Sequence, residues 1–274
     1  MNFLETNIMK RISTLILLAL IIPQIAFAWG RLGHRTVAEI AERNLTPKAK
    51  ANIEKFTNGT PLWKYSLWLD EIRDEEPYKT ATYGWHASIV DSDCTSPQII
   101  RDRYRQGQDA VTASYQMTEI LKDYRNQTDS AVMVALKSLI HTVADFHCPG
   151  HVRYVDFENK GRFAVNFYGK MTDMHKVWDT ACITKFRPKH NQFQYADLLN
   201  TLDNKQIKAL TKGDYQQWFE DAARDVQPAL YWVYDTHRIE KLDDKFLQKG
   251  GPLCEQLMQK AGYRLAATLN AIFK

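Results

Sequence analysis

Two histidine–aspartate pairs in the chain have the spacing of side chains that could bind one metal ion together. His141 and Asp145 are four residues apart, and His175 and Asp179 repeat that spacing further along. In a helix, residues four apart project from one face, so each pair offers an imidazole and a carboxylate at one place. Zinc binds such a mixed set of donors. One pair alone is commonly a surface contact, but two pairs in one chain favour a metal site.

Two further histidines, His147 and His151, follow the first pair. Pro149 forces the chain out of the helix, so the chain can turn back and bring His151 toward the face of His141. His147 and His151 are also four residues apart, but Pro149 lies between them and breaks the helical geometry. We therefore expect His151 to be a ligand, and His147 to face solvent or to support the ligands from outside.

The first pair lies on the clearest helical pattern of the sequence. Apolar residues recur at helical spacing from Ala131 to Cys148, and Pro149 stops the helix. Thr46 and Pro47 have the residue types of a helix N-cap and first helical position. Further predicted helices cover the segment from Val37 to Leu45 and residues 110–124, 215–234 and 254–273.

One short segment has the alternation of a β-strand. Within residues 162–168, Phe163, Val165 and Phe167 alternate with other residues between two flanking glycines, which predicts one half of a small hairpin. The sequence shows no repeats, linker or low-complexity tract. The predicted fold class is therefore all-α, a single helical domain with one small β-hairpin.

The composition is that of an ordinary globular protein. Hydrophobic residues make up 45% of the chain and charged residues 25%, with 12 glycines and 9 prolines, which excludes a disordered or collagen-like chain. The formal net charge is +4. This excess is too small to indicate a nucleic-acid-binding protein from bulk charge, so any such function must come from a local site.

The N-terminal residues have the layout of a secretory signal peptide. Met9-Lys10-Arg11 gives a basic start, an apolar run follows from Ile12 to Ile22, and Ala26-Phe27-Ala28 is a cleavage signal. The apolar run is too short to cross a bilayer. We expect residues 1–28 to be removed, with Met9 as the true start, which leaves a mature domain of residues 29–274 in the periplasm or outside the cell.

Several motifs occur together with the histidine–aspartate pairs. In chain order they are Trp29-Gly30, Gly33-His34, Trp68-Leu69-Asp70-Glu71-Ile72-Arg73, Trp85-His86, His141-x-x-x-Asp145-x-x-x-Pro149-x-His151 and His175-Lys176-Val177-Trp178-Asp179. With them the sequence resembles the trinuclear-zinc single-strand nucleases, which include the fungal S-one and P-one type and plant bifunctional nucleases and share the zinc phospholipase C fold. The resemblance covers nearly the whole mature chain.

The resemblance implies three zinc ions with nine ligand residues. The first zinc would be bound by Asp70, His86, His141 and Asp145. The second would be bound by His151, His175 and Asp179, with room for water. The third would be bound by His34, by Asp145 as a bridge, and by the terminal amine and carbonyl of Trp29. An uncleaved precursor has an amide nitrogen at Trp29, which is a poor ligand, so the resemblance couples processing to metal binding.

The resemblance also implies an activity. It predicts an endonuclease that hydrolyses single-stranded RNA and DNA to 5′-phosphate products, with nucleotides as further substrates for a 3′-nucleotidase activity, acting as a monomer. Asp145 and Arg73 would be catalytic, Arg73 by contacting the phosphate. One alternative is a zinc phospholipase C-like phosphodiesterase, which has glutamate where this chain has Asp179. The other is a zinc-binding protein without enzymatic activity.

Four cysteines, Cys94, Cys148, Cys182 and Cys254, allow three disulfide pairings in an oxidising compartment. If His151 and Asp179 share a zinc, as the resemblance implies, Cys148 and Cys182 lie three residues from those ligands and can approach each other. We therefore expect Cys148–Cys182 and Cys94–Cys254 disulfides. The alternatives are that Cys148 is itself a zinc ligand or that it is a buried free thiol.

Overall fold

The computed structural model describes residues 29–104, 106, 108–157, 163–233 and 240–274. The predicted signal peptide, residues 1–28, lies outside the described residues, as do Arg162 at the start of the predicted strand and Tyr234 at the end of a predicted helix. In the part that is described, the chain is mainly helical, which confirms the predicted fold class. No helix there is long and apolar enough to cross a membrane.

The helices and strands follow one another along the chain with short connections. The helices are α1 (Arg31–Arg43), α2 (Pro47–Thr57), α3 (Trp68–Ile72), α4 (Tyr78–Ala81), α5 (Gln98–Arg103), α6 (Ala110–Lys122), α7 (Asp129–Asp145), α8 (Met174–Lys176), α9 (Cys182–Phe186), α10 (Gln192–Leu199), α11 (Asn204–Leu210), α12 (Tyr215–Val233) and α13 (Asp244–Ile272). The strands are β1 (Ser88–Val90), β2 (Val152–Tyr154), β3 (Ala164–Phe167), β4 (Lys170–Asp173) and β5 (Glu240–Leu242).

The core forms where the long helices pack side by side. Helix α7 packs along α6, and the C-terminal helix α13 packs along α1. Helix α7 contributes a row of fully buried apolar side chains, including Val132, Leu136 and Leu139. The same helix buries His141 and Asp145 near its C-terminal end. The packing that stabilises the fold therefore also fixes the first predicted ligand pair.

The predicted hairpin is present. Strand β3 pairs antiparallel with β4, and Val165 faces Thr172 in the register. Tyr168 and Gly169 connect the strands with φ values of 49° and 84°, which is the left-handed backbone of a tight two-residue hairpin turn. Strand β5 adds to the other edge of β3 in parallel. A second, two-stranded parallel sheet joins β1 to β2.

Several helix ends differ from the prediction, and two of them bear on the site and its packing. Helix α7 ends at Asp145 rather than Cys148, and Pro149 opens a 3₁₀ turn that runs through His151. Helix α13 begins ten residues before the predicted start at Cys254, with Asp243 as N-cap. Gly250 and Gly251 lie inside this helix, and the missing side chain of Gly251 makes room for Phe186: a Cβ there would lie 2.4 Å from its ring.

Candidate metal centre

Helix α7 presents His141 and Asp145 on one buried face, as the spacing predicts. Thr128 caps the helix by accepting a hydrogen bond from the Ala131 amide. His141 Nε2 lies 3.1 Å from Asp145 Oδ2, and neither side chain is exposed. On the other edge of the imidazole, Nδ1 donates to the Ser66 carbonyl oxygen at 2.8 Å. That hydrogen bond fixes the tautomer and leaves the Nε2 lone pair directed at the carboxylate.

Asp70 and His86 come from separate segments and meet this pair. Asp70 is buried in the short helix α3, and His86 lies in the loop before β1. His86 Nδ1 lies 3.1 Å from Asp145 Oδ2 and 3.7 Å from Asp70 Oδ1. It is also 3.2 Å from His141 Nε2. The four residues predicted to bind the first zinc thus converge on one point.

The start of the described chain lies against the same group. His34, in the first turn of α1, places Nε2 3.3 Å from Asp145 Oδ1 and stacks its ring on His141. Trp29 is fully buried and packs against Gly33, where an added Cβ would lie 2.9 Å from the indole. The amide of Gly30 donates to the Asp179 carbonyl oxygen at 2.5 Å. Trp29 is therefore held between the two predicted ligand pairs.

The second predicted pair forms a group of its own. His175 Nε2 lies 3.1 Å from Asp179 Oδ2, and His151 Nε2 lies 3.4 Å from Asp179 Oδ1. His175 Nδ1 donates to the Gly150 carbonyl oxygen at 2.9 Å, and His151 Nδ1 donates to the His86 carbonyl oxygen. Both imidazoles therefore direct Nε2 at Asp179, as metal-binding histidines do when a carbonyl holds the other nitrogen.

Local backbone geometry makes this second group possible. Asp179 lies in a π-helical turn, Val177–Ala181, between α8 and α9. Such turns are frequent at functional sites because they shift one side chain out of the regular helical register. Gly150 leaves the space that Asp179 occupies, since a Cβ there would lie 2.7 Å from Asp179 Oδ1. His151 Nδ1 is also 3.9 Å from Asp145 Oδ2, so the two groups are contiguous.

Burial perturbs the protonation of these groups. Burial raises the pKa of the Asp70 and Asp145 carboxyls well above their usual range, and it raises the pKa of Asp179 to about 6. Burial lowers the pKa of His86 to about 4 and also lowers the pKa of His141. Burial therefore disfavours both the carboxylate anions and the imidazolium cations, as is typical of buried ligands that a bound cation would stabilise.

Carboxylate oxygens without hydrogen bonds also indicate that the site binds a cation. Within the described residues, both carboxylate oxygens of Asp70, Oδ1 of Asp145 and Oδ2 of Asp179 are buried and accept no hydrogen bond. Buried carboxylate oxygens without partners are expensive unless a cation is bound. Three groups of side chains offer ligand atoms within 4.8 Å of one another: His34, His141 and Asp145; Asp70, His86 and His141; and Cys148, His151 and Asp179. These donors fit zinc.

Arg73 lies at the rim of the cluster. It follows α3 directly, and its Nη1 is 3.9 Å from Asp70 Oδ1. Its side chain is 34% exposed, whereas Asp70 is buried. The guanidinium therefore lies between the buried acids and solvent, where an incoming anion would meet it.

Two predictions about residues near the site are wrong. His147 does not face solvent but is fully buried two residues after the end of α7, and its hydrogen-bond partners are Val143 and Arg264, neither of which is a predicted ligand. The disulfides Cys148–Cys182 and Cys94–Cys254 are absent, since all four cysteines are free thiols. Cys148 Sγ instead lies 3.4 Å from Asp179 Oδ1. Cys182 lies within hydrogen-bonding reach of Cys254, because α9 packs against α13.

The sequence did not indicate the backbone groups that position the ligands. The carbonyl groups of Ser66, His86 and Gly150 orient three of the imidazoles, and the missing side chain of Gly150 makes room for Asp179. Only the glycine carries a signal in the sequence, because it directly precedes the predicted ligand His151. Every residue type has a backbone carbonyl that can accept such a hydrogen bond, so no pattern of side chains indicates these acceptors.

Comparison with known proteins agrees with this geometry. A model of the S1/P1 nuclease family matches residues 29–274. Nuclease S1 of Aspergillus oryzae is 26% identical, over 96% of this chain and 98% of its own length. Endonuclease 2 of Arabidopsis thaliana is 25% identical over 89% and 90%, and nuclease P1 of Penicillium citrinum is 24% identical over 89% and 97%. The chain belongs to the S1/P1 nuclease family and is a zinc-dependent, single-strand-specific nuclease.

Proposed function

We propose that the processed chain, beginning at Trp29, binds three zinc ions and hydrolyses single-stranded RNA and DNA to products with 5′-phosphates. One observation supports this above all: each of the eight predicted side-chain ligands has a donor atom within 3.7 Å of a donor atom of another predicted ligand. Ligand atoms that share a zinc ion at ~2.0–2.2 Å are separated by comparable distances.

The ligands divide into three sets, and Asp145 belongs to the first and the third. Asp70, His86, His141 and Asp145 form the first set. His151, His175 and Asp179 form the second. His34, Asp145 and the amine and carbonyl of Trp29 form the third. The third set requires a free amine, since an amide nitrogen is a poor ligand, so we expect cleavage after Ala28 to complete the site. Such cleavage accompanies export to the periplasm or the medium.

Zinc in such a cluster supplies two things, a lowered pKa for bound water and neutralisation of the charge that builds up on a phosphodiester during hydrolysis. The chain supplies the positioning. Asp145 Oδ1 and Oδ2 face His34 on one side and His86 and His141 on the other, so one carboxylate fixes the spacing of two sets. Arg73, at the rim, binds a non-bridging phosphate oxygen through charge-assisted hydrogen bonds.

The depth of the cluster gives a physical reason for single-strand preference. The ligands are buried at 0–4% exposure, apart from His86, whose side chain is 16% exposed. A phosphate in a stiff duplex cannot reach such a depth, whereas a single strand can bend inward and stack its bases on aromatic side chains. Tyr83, three residues before His86, is 68% exposed and offers one such surface.

The test uses mature protein with Trp29 as its first residue. We expect hydrolysis of single-stranded DNA and RNA, much slower hydrolysis of duplex DNA, no release of headgroup from phosphatidylcholine, and complete loss with a chelator that added zinc reverses. Arg73→Gln should lower kcat/KM by ~10²–10³-fold while zinc content stays constant. Arg35→Gln, on α1, is the matched control. Cleavage of phosphatidylcholine in preference to nucleic acid would contradict the proposal.

A further inference from the structure

The thiol of Cys148 lies inside the second ligand set. Cys148 Sγ is 3.4 Å from Asp179 Oδ1, and His151 Nε2 is also 3.4 Å from that oxygen. Cys148, His151 and Asp179 offer donor atoms that all lie within 4.8 Å of one another. Their exposed fractions are 0%, 4% and 1%. The thiol therefore shares a buried point with two predicted ligands.

These separations are those of ligands around a single zinc ion. Zinc binds sulfur at ~2.3 Å and nitrogen or oxygen at ~2.0–2.2 Å, so two ligands at tetrahedral angles lie ~3.3–3.7 Å apart. The distances from Asp179 Oδ1 to Cys148 Sγ and to His151 Nε2 fall in that range. The other oxygen, Asp179 Oδ2, is 3.1 Å from His175 Nε2 and accepts no hydrogen bond.

The backbone holds the thiol in this position. The Cys148 amide donates to the Asp145 carbonyl oxygen at 2.8 Å, and its own carbonyl accepts from the His151 amide at 2.9 Å. Cys148 is thus fixed between one predicted ligand and the next, at the junction of α7 and the 3₁₀ turn. All four cysteines are free, so a disulfide does not use this thiol.

We propose that Cys148 binds, as a thiolate, the same zinc ion as His151, His175 and Asp179. This rests on the zinc ligands proposed above. When the zinc–sulfur bond forms, the thiol proton passes to solvent, as it does for other zinc-bound cysteines. One thiolate and one carboxylate then balance the double positive charge, and the site has four protein donors. Four-coordinate sites with nitrogen, oxygen and sulfur donors are common for zinc.

The test is a spectrum of the processed protein in which cobalt(II) replaces zinc. Cobalt bound to sulfur shows an intense ligand-to-metal charge-transfer absorption in the near ultraviolet, which nitrogen and oxygen donors do not give. We expect this band in the unaltered protein and in Cys94→Ser, and we expect its loss in Cys148→Ser. Cys94→Ser is the matched control because Cys94 is an equally buried free thiol in the loop after β1.

A crystal structure of the zinc-loaded protein gives an answer that does not depend on any variant folding. The expected distance from zinc to Cys148 Sγ is ~2.3 Å. A fully loaded second site with Sγ outside bonding distance would overturn the proposal and would show that the thiol only donates a hydrogen bond to Asp179. In Cys148→Ser we also expect zinc affinity at this site to fall by at least ~10-fold.

Nuclease assays on the same preparations separate this inference from the proposed function. Hydrolysis of single-stranded DNA without a zinc–sulfur bond would overturn the role of Cys148 alone. A zinc–sulfur bond in a protein that cleaves no nucleic acid would support the role of Cys148 and contradict the proposed function.

Discussion

His141 and His147 lie near the C-terminal end of α7, both fully buried, and yet their surroundings have opposite character. His147 Nδ1 donates to the Val143 carbonyl oxygen at 2.8 Å, and its Nε2 accepts from Arg264 at 2.9 Å. Arg264 in turn contacts Asp221 at 2.5 Å. His141, six residues earlier, faces buried acids instead of a buried base.

The two clusters differ in how their charges are balanced. Around His147, the two bases Arg264 and Lys260 face Asp221, and Lys260 also contacts Asp225 at 2.6 Å. In the ligand cluster, the ion pair that Arg73 forms is with Asp70, while the ion-pair contacts of the buried Asp145 and Asp179 are with histidines. A polar group satisfied within the protein indicates a structural role, whereas unsatisfied acids at one point indicate a ligand that the chain must bind.

The largest effect on zinc content and activity is expected at Asp145, which belongs to two of the proposed sets of zinc ligands. Asp145→Asn removes the negative charge between His34 and His86, so zinc content should fall and nuclease activity should drop by more than ~10²-fold, the upper end of what losing a supporting residue costs. The matched control, Asp221→Asn in the His147 cluster, should keep its zinc. Near-normal activity of Asp145→Asn would show that the trinuclear assignment is wrong.

Extension of the N-terminus should have a smaller effect. One additional residue before Trp29 converts the terminal amine into an amide, so we expect zinc content to fall by about one ion per chain, with two sets intact. Metal analysis by mass spectrometry and nuclease assays on both forms check this. An extended protein with full zinc content and rate would refute the role of the terminal amine.

The affinity for zinc should depend on pH. Zinc binds deprotonated ligands, and burial raises the pKa of Asp179 to about 6, while the pKa of His86 falls to about 4. Below about pH 6 Asp179 holds a proton and His86 does not, so apparent affinity should fall by about tenfold per pH unit for each displaced proton as pH drops. Calorimetry in buffers of different ionisation enthalpy measures the released protons. An affinity that rises on acidification would contradict this.

The smallest effect on zinc content is expected from a substitution in the cluster around His147. Arg264→Leu leaves His147 Nε2 without its donor and leaves Asp221 with Lys260 alone. The lost hydrogen bond to buried His147 should lower the free energy of unfolding by ~1–3 kcal/mol. The ion pair adds little, because the Asp221 side chain is 33% exposed. Denaturant unfolding measures the loss, and unchanged zinc content separates this cluster from the ligands. Loss of zinc in Arg264→Leu would show that the two clusters act as one.

The contrast also explains what the sequence could indicate about this fold and site. The helices around His141 and the hairpin at Val165 were predictable, because apolar periodicity and turn residues act locally. The ligand spacing was also predictable, since residues four apart in a helix share a face. The early start of α13 was not, because two glycines and Pro252 suggest a break, which the packing of Gly250 against Phe246 and of Gly251 against Phe186 overrides.

The environments of His147 and Cys148 depend on long-range contacts. Arg264 lies 117 residues from His147 in the sequence, and Asp179 lies 31 residues from Cys148. No local pattern indicates that a histidine will meet a buried arginine, or that a cysteine will meet an aspartate instead of another cysteine. The predicted pairing of Cys148 with Cys182 failed for this reason.

The most direct test of the account is the zinc content of the mature protein, measured together with its activity on single-stranded DNA. We predict about three zinc ions per chain beginning at Trp29, and activity that falls in step with zinc as a chelator removes it and returns when zinc is restored. Full activity in protein stripped of zinc, or three bound zinc ions with no hydrolysis of single-stranded DNA, would contradict the central claim.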